Sequence, residues 1–255
     1  YDNEPNSLHL NQLSRVTEPL RQELLRRLNQ TPGATSDLVS MRADLLRQLK
    51  LQPELNSVDD DFVRLFSSWF GRGFLILKTI DWSTSAAILE RIIRYEAVHE
   101  IRDWDDLRRR IDPDNRRCFA FFHPALVDEP LIFVEVALSR QIPESINEIL
   151  EDDGQADDSD FDTACFYSIS NCQPGLKNIS FGNFLIKQVV QELQSEFPGM
   201  NQFVTLSPMP GLCRWLEDDK LKHNEQLQPL ITELAAIPKT EEGVAENSEL
   251  ISRLA

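Results

Sequence analysis

The chain has 255 residues, 41% of them hydrophobic, enough for one or two ordinary cores, and no apolar run approaches the roughly 20 residues that a membrane-spanning helix needs. Forty-two acidic side chains against 26 basic ones leave a formal charge of −16, a field that repels nucleic acid and anionic lipid, so neither nucleic acid nor membrane is expected as a partner. Four cysteines (Cys118, Cys165, Cys172, Cys213) without a C-x-x-C pair predict reduced packing thiols in a cytoplasmic compartment, and four scattered histidines (His9, His99, His123, His223) without H-x-x-x-H spacing predict no metal site.

Up to residue 112 the sequence reads as helices. Leu8, Leu10, Leu13, Val16, Leu20, Leu24 and Leu28 mark one amphipathic helix that stops before Thr31-Pro32-Gly33, and Asp37 to Leu51 makes a second, ended by Pro53. Ser57, with Asp60 three residues on, suggests a capping box for a third helix over Val58 to Phe70, closed by Gly71 and Gly73. A fourth begins at Ser83 and is predicted to bury Ala86, Leu89, Ile92 and Ile93, and a short fifth starts near Asp103. Such a layer has either an internal core or a self-association surface.

After Asp112-Pro113 the texture changes to strands. Arg117 to Phe122 and Leu131 to Leu138, rich in aromatic and branched residues, predict an antiparallel pair. The acidic run Glu151 to Asp160 reads as a solvated loop, and Thr163 to Ile169 as a third strand. Next come a glycine turn at Gly182 and a helix whose Leu185, Ile186, Val189, Val190, Leu193 and Phe197 form one face. Pro198-Gly199 breaks it, and a strand over Gln202 to Leu206 follows. The start of that helix offers free N–H groups suited to phosphate, helped by Lys177, Lys187 or Arg214 against the overall negative charge. Ser207 falls at the carboxyl end of the last strand, where open sheets place their ligands. By these signals the fold class is α+β with a βαβ unit.

The run FLIKQVVQELQSEFPG (Phe184 to Gly199), followed by TLSPMPG (Thr205 to Gly211) with its Ser-Pro-x-Pro-Gly turn, resembles the malonyl-CoA decarboxylase family, whose catalytic domain belongs to the GNAT acyltransferase superfamily. Family-like runs also include MRADLLRQL from Met41, SSWFGRGFLIL from Ser67, YEAVHEIRDWDDLRRR from Tyr95, RRCFAFFHPAL from Arg116, DEPLIFVEVAL from Asp128 and ACFYSIS from Ala164. The resemblance extends from about Leu8 to about Trp215. It implies a helical oligomerisation domain over 1–112, making a homodimer or homotetramer, and the N-terminal portion of a GNAT-like catalytic domain over 113–255. The implied reaction converts malonyl-CoA to acetyl-CoA and carbon dioxide, without metal or organic cofactor, since coenzyme A is part of the substrate and the thioester itself is the electron sink.

The resemblance further implies that Ser207 is the catalytic serine, that Ser168 matches a second position implicated in catalysis, and that Lys177, Asn178, Ile179, Ser180, Phe181, Gly182 and Asn183 form the coenzyme A loop. The departures are two. Ser180 stands where many family members carry a glutamate that orients a catalytic histidine, and that histidine, in an Asn-Pro-Val-Ala-x-Phe-His-like run, has no counterpart before Ala255. His99 and His123 read instead as satisfied structural histidines. A fragment is therefore expected, for which another GNAT-fold acyl-CoA transferase or a non-catalytic acyl-CoA-binding or assembly module are the alternatives. Mitochondrial or peroxisomal targeting stays open for a chain that begins at Tyr1.

Overall fold

The computed structural model describes residues 19–152, 161–179 and 184–208, together with 211, 229 and 232. The chain divides into two compact units, Tyr1–Ser207 and Pro208–Ala255. Of the second, Pro208, Gly211, Pro229 and Thr232 are described, the last two with helical backbone. The first unit holds every described strand.

Its opening helices are α1 (Leu20–Leu28), α2 (Ala34–Gln48) and α3 (Asn56–Trp69). The expected stretch Leu8 to Val16 lies outside the described residues. Helix α2 starts three residues before the expected Asp37, because Gly33, at φ 81, turns the chain in a left-handed conformation directly into Ala34. The Ser57 capping box is not formed. A 3-10 turn over Pro53–Leu55 feeds straight into α3 at Asn56, so Ser57 is already helical, and its hydroxyl accepts from Arg21 Nη2 at 3.2 Å instead. Helix α4 (Ala86–Tyr95) begins after Ser85 rather than at Ser83. Ala86 is exposed, Ile88, Leu89 and Ile92 are buried, and Ile93 is half-buried. Helix α5 (Trp104–Ile111) starts as expected, the Asp103 carboxylate accepting from the Asp106 N–H at 2.8 Å.

Five strands form one sheet in chain order: β1 (Ile76–Ile80), β2 (Arg116–Phe122), β3 (Pro130–Ser139), β4 (Thr163–Asn171) and β5 (Gln202–Thr205). Neighbours are antiparallel as far as β4, and β5 runs parallel to β4 after the crossover helix α7 (Phe184–Glu196). A further helix, α6 (Ile146–Glu151), joins β3 to β4. Alternation along the strands splits the core in two. Phe119, Phe121, Val134, Val136 and Phe166 meet Leu38, Phe62 and Phe66 of α2 and α3 and Leu185, Val189 and Leu193 of α7. Cys118, Ala120, Phe122 and Phe133, on the opposite face, meet Ile88, Leu89 and Ile92 of α4 and Leu107 and Ile111 of α5.

The opening helices and the sheet thus share one apolar core, with fully buried Phe66 between them. Phe66→Ala is expected to cost about 3–5 kcal/mol, and helix and sheet of this unit should unfold in one transition. Urea denaturation followed by far-UV and near-UV circular dichroism measures both; separate transitions for helix and sheet would contradict the shared core.

Candidate functional site

The site begins with an irregularity in β4. Glu135 on β3 faces Ser168 while Val136 faces Phe166, so Tyr167 is one residue more than β3 can match. An unpaired residue reverses the facing of everything after it. Cys165 and Tyr167 pack with Ala137 and Ile149 of α6, and Ser168 and Ser170 stand opposite Glu135 and Phe133 on that same face. With regular pairing, Ser168 would instead have entered the apolar core beneath α2 and α3.

On its other edge β4 pairs with β5 from Thr163↔Gln202 to Phe166↔Thr205, and the Leu206 N–H makes the last bond, 2.9 Å to the Phe166 carbonyl. Continued, that register would set Ser207 level with Ser168. Pairing stops there, and β4 runs on to Asn171 without a strand beside it among the described residues. Among the described residues the parallel strands part here and leave a notch, with exposed Ser207 at its mouth. Past the carboxyl end of β4 lies a cavity of about 440 Å³, lined by Leu131, Asn171, Gln173, Leu176, Lys177 and Asn178 among others.

Behind the notch is a buried polar cluster. Ser168, 1% exposed, donates to the Glu96 carboxylate, with oxygens at 2.8 and 2.9 Å. Ser170 Oγ lies 3.2 Å from the same group, and the Val98 and His99 N–H groups donate to it at 2.7 Å. A serine has one proton; donated to Glu96, it leaves the Ser168 oxygen as an acceptor, with Ser170 Oγ 3.4 Å away. On the strand opposite, Glu135 is 0% exposed and bonds Arg110 Nη1 at 3.1 Å. Burial pushes its carboxyl up to about 7, helped by the Glu96 charge; the Arg110 guanidinium and the Tyr167 hydroxyl pull the other way. That hydroxyl approaches Glu135 without completing a hydrogen bond, so Glu135 Oε1, Tyr167 Oη and the nearby His99 Nε2 are all buried without a partner among the described residues.

His99 therefore departs from the satisfied histidine expected, and burial depresses its pKa. His123 fits that expectation. Its Nε2 contacts the Trp69 carbonyl at 3.1 Å, its Nδ1 accepts from the Ala125 N–H, and burial lowers its pKa too. Of the expected loop residues, Lys177 and Asn178 are exposed and Ile179 is buried, while Ser180, Phe181, Gly182 and Asn183 lie outside the described residues. So do Arg214 and the residues after Asp152 in the acidic run. Sequence reasoning passed over Glu96, Arg110 and Glu135. For Glu135 a signal existed, a lone acid inside the apolar run LIFVEVAL, since a carboxylate is almost never buried unless paired.

Because the Glu135 carboxyl lies above its ordinary 4.5 when folded, the folded protein holds this proton more tightly than the unfolded chain does. The contribution is present below about pH 4.5 and is lost as pH rises toward 7. Urea unfolding at pH 5 and pH 8 should show the native protein losing about 3 kcal/mol more than Glu135→Gln over that interval. Equal losses would mean that the folded and unfolded states hold the proton alike.

Two family models divide the sequence between them: residues 1–70 match the malonyl-CoA decarboxylase N-terminal domain and residues 73–254 the C-terminal domain. The mitochondrial malonyl-CoA decarboxylase of the goose Anser anser anser is 39% identical over 205 residues, 78% of this chain and 40% of the relative, and that of Rattus norvegicus is 36% identical with 42% of its length covered. Among solved structures, malonyl-CoA decarboxylase from Rhodopseudomonas palustris has a TM-score of 0.84 at 48% identity, and that from Agrobacterium vitis 0.84 at 50%. They match 98% and 99% of this chain, and it spans 63% and 62% of theirs. The chain thus spans about two fifths of the length of these curated relatives, and it belongs to the malonyl-CoA decarboxylase family.

Proposed function

We propose that the protein decarboxylates malonyl-CoA to acetyl-CoA and carbon dioxide, with the notch between β4 and β5 as the acyl-CoA site. The observation that carries this reading is where strand pairing stops. The bond between Leu206 and Phe166 is the last, one residue before Ser207 and two before Ser168, so a strand edge without a partner strand among the described residues opens beside an exposed hydroxyl. The pantetheine arm of coenzyme A carries amides that can bond such an edge as an added strand would. Lys177 and Asn178, lining the cavity past β4, are the described groups available to the phosphates.

In the reaction, the bond between the α-carbon and the carboxylate breaks, carbon dioxide leaves, and the electron pair moves through the α-carbon onto the thioester oxygen. A proton then adds to that carbon. Ser207, donating its O–H to the thioester oxygen, would stabilise the charge as it develops; one such donor contributes about 10²- to 10³-fold in rate. Ser168, its proton held by Glu96, serves as an acceptor and shapes the floor of the notch. The thioester is the electron sink, so this reading requires no metal or organic cofactor. Leu20 and Leu24 of α1, 88% and 56% exposed, favour a homo-oligomer built through the helical layer, and the buried free thiols Cys118, Cys165 and Cys172 favour a reducing compartment. No helix among the described residues is long and apolar enough to cross a membrane.

Ser207→Ala is expected to lower kcat by about 10²- to 10³-fold while the affinity for a non-reacting malonyl-CoA analogue changes little. Acetyl-CoA release and calorimetric binding, on this chain and on any longer polypeptide that carries it, are the measurements. An unchanged kcat removes Ser207 from the mechanism, and binding of the analogue without turnover by the native protein would replace the decarboxylase with an acyl-CoA-binding module.

A further inference from the structure

Arg42, in the middle of α2, is 0% exposed, and its guanidinium joins α3 to a segment far along the chain. Its Nε and Nη2 reach the two carboxylate oxygens of Asp59 on α3, at 2.7 and 3.4 Å. Its Nη1 donates to two backbone carbonyls far along the chain, Gly175 at 2.7 Å and Lys177 at 2.9 Å. The segment that carries those carbonyls lies close against α2. A Cβ at Gly175 would lie 1.9 Å from the Val39 carbonyl oxygen, one turn before Arg42, so the chain there lies directly on α2.

The Lys177 carbonyl is the informative one. Lys177 has φ −54 and ψ 135, Asn178 has φ 63, and the Ile179 N–H closes onto the Leu176 carbonyl at 3.0 Å. Leu176–Ile179 is thus a type II β-turn, with asparagine at the position that requires positive φ. Types I and II differ by a flip of the central peptide, here the one joining Lys177 to Asn178. In a trans peptide the carbonyl and the N–H point in opposite directions. By drawing the Lys177 carbonyl toward α2, Arg42 turns the Asn178 N–H away from it, at the residue that lines the 440 Å³ cavity past β4. Flipped to type I, the same turn would present a carbonyl oxygen there, and an anion would meet an acceptor where it needs a donor.

We infer that Arg42 is a positioning residue for coenzyme A: it fixes the turn type of Leu176–Ile179 and with it the backbone donor offered to a phosphate of the acyl-CoA. This rests on the acyl-CoA reading of the site. Arginine suits the task where lysine does not, because a planar fork can bond Asp59 and both carbonyls together and a single ammonium cannot hold that geometry. The helical layer thereby takes part in building the substrate site, through a side chain that never touches substrate.

The test is calorimetric binding of free coenzyme A to the native protein, Arg42→Lys and Asn178→Ala, with thermal melting as the control for folding. Alanine disfavours positive φ and so acts on the turn without disturbing the core, which keeps the test decisive should Arg42→Lys fail to fold. About 10-fold weaker binding by the folded variants is expected, and KM for malonyl-CoA should rise more than kcat falls. Adding Asn178→Gly, which favours the type II turn by itself, should restore part of the affinity of Arg42→Lys, a rescue that general loosening of the core would not allow. Folded Arg42→Lys or Asn178→Ala binding coenzyme A as tightly as the native protein would overturn the inference and leave the acyl-CoA reading intact. Failure of the native protein to bind coenzyme A would overturn both.

Discussion

The site depends on a count: β4 carries one residue more than β3 can pair. Strand side chains alternate strictly, so Tyr167 resets the alternation and sends Ser168 and Ser170 to the face where Glu96, Arg110 and Glu135 lie. The same neighbourhood is where β5 lets go of β4. The pairing of β4 with β5 ends within two residues of this misfit, so the polar floor and the parting of the strands lie side by side. Regular pairing of β3 with β4 would have buried two hydroxyls among Phe62, Phe66 and Phe166, an apolar setting that offers them no partner.

How much of this could be read beforehand depends on the range over which each signal acts. Helix α7 and strands β2 to β5 were legible because each satisfies its own periodicity, and the apolar face of α7 was read correctly at Leu185, Val189 and Leu193. β1 was not seen. Its residues are exposed except for Leu77 and Ile80, so its identity comes from pairing with Phe119 and its neighbours on β2 rather than from its own pattern. Helix α6 did carry a local signal, Ser145 three residues before Glu148, and the Glu148 N–H does bond the Ser145 hydroxyl. Ser57 showed nearly the same spacing and caps nothing, because the preceding 3-10 turn had already started the helix. Resemblance pointed to the serines but not to Glu96, the partner of one of them: Ser168 and Glu96 are 72 residues apart, and no local pattern joins them.

Charge is distributed in an unexpected way for a chain with a formal charge of −16 that is read as binding an anion. Three of its arginines are buried and engaged. Arg42 holds a turn, Arg110 holds Glu135 and the Glu100 carbonyl, and Arg116 holds the Ile149 carbonyl and Asp152 of α6 and its end. Each ties together segments distant in sequence, and an uncompensated charge would remain inside if its partner were removed. With these three held inside, a phosphate would meet oriented peptide groups and exposed cations such as Lys177 and Arg72, so the direction of individual N–H bonds matters beside the number of cations.

The other border of the sheet meets a different hazard. β1 is paired only on its β2 side among the described residues, and the half-exposed Ile76 makes it a template to which a second chain could add. It is five residues long, and Lys78 stands in its middle with its ammonium 4.9 Å from the ring centre of Phe122. A strand that approached edge-on would have to strip water from that charge and displace it from the ring, for a ladder too short to compensate. The lysine acts as a gatekeeper against strand addition at one border of the sheet, whereas toward the other border β4 outruns β5 and has no strand on that side past Phe166 among the described residues.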